Sequence, residues 1–168
     1  MSLINGLPAH ILLVHFVIVL VPLTAVALVV CALWPAGARR LGLVLPLLAL
    51  VTLASVPLTT SAGEWLERHV DSDPLVRRHA DLGDGMLPWA LGLFVLAAVV
   101  WWLARRTGTP EGGTRSGSGS VLRIAAAVVS VVVAVGAVIT VYRIGDSGAK
   151  AAWHDGFSKT ATHSGDDG

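Results

Sequence analysis

Three histidines are the residues of this 168-residue chain best placed to do chemistry. His10 stands at the edge of a long apolar run and His15 inside it, within Pro8-Ala9-His10-Ile11-Leu12-Leu13-Val14-His15-Phe16; His79 precedes a second apolar run. An ionisable or ligating side chain is costly in hydrocarbon, so a histidine there marks a functional site by default. On a helix, five residues turn His10 and His15 about 140° apart, so they cannot form an i, i+4 metal pair and each must meet another element. His79 is the natural partner. Two imidazoles from facing helices hold haem b, because neutral nitrogens satisfy both axial positions while apolar side chains cover the macrocycle. His79 lies seven residues before Met86 and His15 four residues beyond Ile11, an offset of roughly 16 Å that would exclude one haem shared between them. His10 is closer in level to His79, and a helix break at Gly83 or Gly85 narrows either gap. The plainer readings are a His10 wetted by headgroups and a His15 hydrogen-bonded to a neighbouring carbonyl or hydroxyl.

Glu64, His69, Asp81 and Asp84 could add oxygen and nitrogen ligands for a divalent metal at the same rim. No HxxxH or HxH spacing supports that set, and salt bridges explain its members more simply. No nucleophile elbow, phosphate loop, zincin motif or haem-attachment CxxCH occurs, so the expectation is a protein that is not an enzyme. A single cysteine, Cys31, excludes an intramolecular disulfide and reads as a small buried apolar residue. The net charge of +1 argues against a nucleic-acid partner.

These residues must be positioned by membrane helices. The chain is 54% apolar and only 14% charged, the composition of a protein whose solvent is a bilayer. Four helices are expected, at about 11–34, 41–58, 74–104 and 121–142, in one domain over 1–145, with a polar tail over 146–168. Their apolar cores, about 27 to 36 Å long, match a hydrocarbon layer of roughly 30 Å. The first run lacks a preceding Lys or Arg and is too long for a signal peptide, so it reads as a retained helix, kinked at Pro22. Asp73 before Pro74 reads as an N-cap with a first-turn proline. From there His79, Leu82, Gly83, Met86 and Ala90 share one stripe, which turns His79 toward the bundle. Trp101 and Trp102 read as an interfacial anchor. The fold class is thus an all-α, four-helix integral membrane bundle.

Orientation follows from basic residues close to the helix ends. Arg39 and Arg40 follow the first helix, and Arg105, Arg106, Arg115 and Arg123 surround the loop after the third. Both termini are therefore expected outside the cytoplasm, with the six histidines at or beyond the outer face of a bacterial cytoplasmic membrane.

Gly6-Leu7-Pro8-Ala9-His10 through Val14-His15-Phe16 resembles the opening of the bacterial membrane family catalogued as domain of unknown function 2231, usually a His-Pro, a four-residue gap, then His-Phe-Pro. Ile11 and Val17 replace both prolines here. Ala62-Gly63-Glu64, His79 and Gly145-Asp146-Ser147-Gly148-Ala149 extend the resemblance over essentially the whole chain; relatives often have Gly-His-Ser-Gly-Ala at the last. The resemblance implies a compact four-helix membrane protein with polar motifs gathered at one face, and brings no established activity. Its outline is similar to small b-type cytochromes, which favours haem by analogy, while Asp146 removes one candidate ligand. The leading expectation is an outer-face cluster in which His10, His15 and His79 bind haem b or a metal for electron transfer. The alternative is a cofactor-free accessory subunit, packing small-residue faces at Gly92, Ala134 and Gly136 against a membrane-protein partner or a second copy. A small transporter or proton-conducting element using His15 comes third, lacking inverted repeats and several intramembrane charges.

Overall fold

The computed structural model describes residues 3–4, 7–68, 73–106 and 117–153. A two-residue antiparallel pair opens the chain, β1 (Leu3–Ile4) against β2 (Leu7–Pro8). Every other described element is a helix: α1 (Ala9–Leu33), α2 (Pro35–Leu41), α3 (Val44–Glu67), α4 (Pro74–Asp84), α5 (Leu87–Arg106) and α6 (Gly117–Trp153). Four stretches are long and apolar enough to cross a membrane: His10–Leu33, Val44–Glu67, Pro74–Arg106 and Gly119–Trp153. The chain is an integral membrane helix bundle in contact with lipid.

The helices pack through small residues and present large ones outward. Ala25, Ala49, Ala90, Ala97, Ala134 and Ala137 are buried, whereas Phe16, Val19, Leu23, Val26, Leu58 and Val132 are exposed. In lipid, apolar burial gives helices no net drive to associate, so small facing residues gain stability by letting backbones come close. The buried positions of α1, at Val17, Val21, Ala25, Leu28 and Cys31, follow the three-to-four-residue spacing of one helix face. Pro22 sits within α1 and Pro57 within α3.

Several boundaries differ from the sequence expectation. The loop left between the first two expected helices, 35–40, is the short helix α2, begun by Pro35 and ended at Gly42, whose φ of 51° suits glycine. The second spanning helix runs on to Glu67 instead of stopping near Leu58. The third is split at Gly85 and Met86 into amphipathic α4 and apolar α5, with Asp73 Oδ1 accepting from Leu75 N at 2.7 Å as the expected N-cap. The fourth continues past Tyr142 to Trp153, so the tail expected from 146 is helical over its first turns. At 37 residues, α6 is about 56 Å long and overreaches a hydrocarbon core of roughly 30 Å. Its overhanging end is held by α4, through Ile144 and Ser147.

The small-residue faces expected to receive a partner are filled from within. A Cβ on Gly136 would overlap the Trp89 ring, and one on Gly92 would lie 3.1 Å from Val133, while Ala134 is buried. These residues bring α5 against α6.

A candidate ligand centre at the histidine end of the bundle

The start of α1, the end of α3, α4 and the overhang of α6 meet at one end of the bundle. His10 is half-buried there, and its Nδ1 lies 3.1 Å from the carbonyl oxygen of Thr59. His79, also half-buried, has its Nδ1 3.1 Å from both the Ile144 carbonyl oxygen and Ser147 Oγ. A carbonyl only accepts, so each Nδ1 carries its ring's proton and donates it, leaving Nε2 with the free lone pair. Ser147 Oγ donates to Ile144 O at 2.8 Å, which leaves its own lone pair for the His79 N–H.

The two rings meet. Their centroids are 6.0 Å apart and their planes cross at 86°. Each ring also rests on a helical glycine: a Cβ on Gly63 would come within 3.1 Å of His10 Nδ1 and Cε1, and one on Gly148 within 2.9 Å of His79 Cε1. A side chain at Gly148 would displace the imidazole, and one at Gly63 would press it by a few tenths of an ångström. Glycine in a helix interior costs about 0.5–1 kcal/mol against alanine, and here it makes room for a ring.

His15 is placed differently. It is exposed on the outer face of α1, with its Nδ1 donating to the Ile11 carbonyl of its own helix at 2.6 Å. The structure therefore brings His10 and His79 together and leaves His15 on the bundle surface, as the 140° turn between His10 and His15 requires. Glu64 on α3 and Asp84 on α4 are exposed, and His69 lies outside the described residues. No group of three or more His, Cys, Asp or Glu residues able to hold a metal ion occurs among the described residues.

Sequence reasoning missed two parts of this centre. Ser147 and Ile144 were placed in or beside a polar tail, although Val141, Ile144 and Ser147 continue the buried spacing set by Ala134 and Ala137. The cradles Gly63 and Gly148 were visible only as pieces of short motifs.

A hydroxyl ladder on α3 runs inward from His10. Thr59 Oγ1 donates to Ser55 O, Ser55 Oγ to Thr52 O, and Thr52 Oγ1 to Leu48 O, at 2.7, 2.7 and 2.9 Å. Thr24 Oγ1 reaches Thr52 Oγ1 across the α1–α3 contact at 2.7 Å. These buried hydroxyls are satisfied without water.

An all-helical, membrane-spanning bundle with a paired-imidazole centre at one end is the class these features define. Residues 6–161 match the family model described as predicted membrane protein (DUF2231), and the chain belongs to that family. No curated protein and no solved structure matches it.

Proposed function

We propose that this is a small membrane redox protein in which His10 and His79 would hold haem b. The observation that carries the reading is the donor set: two imidazoles from different helices, each tied at Nδ1 to a main-chain carbonyl, each with no partner at Nε2 among the described residues. Tying one ring nitrogen fixes both the orientation and the tautomer of a ligating histidine. A structural zinc ion takes four ligands and a catalytic one three, whereas haem iron needs two from the protein.

Bound there, haem would supply one-electron transfer. The chain's own contribution is positional: Thr59 O, Ile144 O and Ser147 Oγ hold the two rings, and Gly63 and Gly148 give them room. The arginine density near the opposite helix ends supports a bacterial cytoplasmic membrane with the histidine end outside.

The test is a dithionite-reduced minus air-oxidised visible spectrum of the full chain, purified in mild detergent after growth with a haem precursor, with iron quantified on the same sample. The expected result is sharp haem bands at near one haem per chain. A colourless, iron-free protein that also fails to bind added haemin would overturn the reading. Co-purification of a stoichiometric partner would then mark an accessory subunit.

A further inference from the structure

Beside the histidine pair, α4 and α6 leave a cleft between them that the two imidazoles do not line. From α4 it takes Arg78, with Leu75 and Leu82 one turn to either side; from α6 it takes Arg143, Asp146, Ser147 and Lys150. Spacings of three and four residues put each set on one face of its helix, so the docking of α4 on α6 joins two distant stripes into one site. The cleft encloses about 80 Å³. Since about 10–15 Å³ takes one water, this is room for roughly five atoms of that size, as in a phosphorus with its oxygens.

The charge of the cleft is one-sided. Arg78, Arg143 and Lys150 stand against the single carboxylate of Asp146, a surplus of two positive charges. Asp146 Oδ2 accepts from Lys150 Nζ at 2.6 Å within α6, so the surplus rests on the two guanidinium groups, one from each helix. Ser147 adds no charge, and its hydroxyl is already engaged with Ile144 O and the His79 N–H. The charged residues are exposed, α4 is amphipathic and α6 overreaches the hydrocarbon layer, which places the cleft at the level of headgroups and water. Like charges gathered on one cleft repel, and an anion seated among them removes that cost.

We infer that this cleft binds one terminal phosphate group, as inorganic phosphate or as the monoester head of phosphatidic acid, between Arg78 of α4 and Arg143 of α6. A terminal phosphate carries close to two negative charges at neutral pH and cancels the surplus, whereas a carboxylate or chloride cancels half of it. The guanidinium fork matches phosphate oxygens, and a cation from each helix lets the anion bridge α4 to α6. Half-buried Leu75 and Leu82 keep water from part of the site, which strengthens the attraction. This site does not depend on haem at the histidine pair.

The experiment is calorimetric titration of the full chain in mild detergent with inorganic phosphate at constant ionic strength, followed by native mass spectrometry with phosphatidic acid or phosphatidylcholine in mixed micelles. Saturable binding of one phosphate group per chain is expected. Arg78→Gln and Arg143→Gln should each weaken it about tenfold, the measure of one hydrogen bond to a charged group. Both residues are exposed, so either variant serves where the other does not fold. Arg68→Gln, at the end of α3 and outside the cleft, should bind as wild type does. Phosphatidic acid displaced by millimolar inorganic phosphate marks the free ion as the occupant; phosphatidic acid retained over phosphatidylcholine in its presence marks the lipid head, and either supports the proposal. It is overturned if neither form binds saturably, if acetate competes as well as phosphate, or if both glutamine variants bind as wild type.

Discussion

The imidazole of His10, at the start of α1, meets that of His79, midway along α4, edge to face with centroids 6.0 Å apart. This contact gathers four helices, because Thr59 of α3 holds one ring and Ile144 and Ser147 of α6 hold the other. It also separates the three histidines that the sequence offered as candidate ligands. His10→Ala and His79→Ala should each abolish haem retention, whereas His15→Ala should keep it, since His15 is exposed and bonded only within its own helix. Absorbance per chain after purification checks this, and loss of colour in His15→Ala alone would contradict it.

Gly148→Ala should disturb the centre without touching a ligand. Its new Cβ would lie 2.9 Å from His79 Cε1, and both the ring and α6 are held in place by the Ile144 and Ser147 bonds. Overpacking of this kind costs typically about 1–3 kcal/mol. Thermal unfolding in detergent should show a lower midpoint for Gly148→Ala than for Gly63→Ala, whose Cβ would approach His10 at a milder 3.1 Å.

Gly136→Ala should be the more damaging change inside the membrane. The added Cβ would overlap three Trp89 ring atoms, so the indole must leave its seat between α5 and α6. A shift of at least about 1–3 kcal/mol is expected, with partial recovery in the double variant carrying Trp89→Leu. Gly92→Ala, facing one Val133 methyl at 3.1 Å, should cost less.

The Thr24–Thr52 hydrogen bond should be modest despite its complete burial. Double-mutant cycles on such interhelical bonds in membranes average about 0.6 kcal/mol and reach about 1.7, because each hydroxyl finds another partner when freed. Thr52 already donates to Leu48 O, so a Thr24→Val, Thr52→Val cycle should fall in that range.

Asp73→Ala should loosen α4 by about 1 kcal/mol through loss of the cap on Leu75 N. Since α4 carries His79, the same variant should retain haem more weakly than wild type, and Asp73→Asn should restore most of that retention.

The elements of this protein were largely legible because their causes are local. Apolar runs of sufficient length, the Asp73-Pro74 cap, and arginines beside the tryptophans at one end all act within a few residues of themselves. The inward stripe of His79 followed equally from helix geometry. The end of α6 was not legible in this way, because Arg143, Gly145, Asp146 and Gly148 read singly as tail residues. They remain helical where Ile144 and Ser147 are buried and bonded to His79, a gain that exists only once α4 has docked. The sequence placed His10 nearer than His15 to the level of His79, but the meeting of the two rings was left to the tertiary structure. The sequence by itself determined that the two histidines of α1 point apart; which one meets His79 depended on the break at Gly85 and Met86 and on the packing of α4 beside α6. A side chain's direction is set by its own helix, but its partner is set by where other helices come to rest.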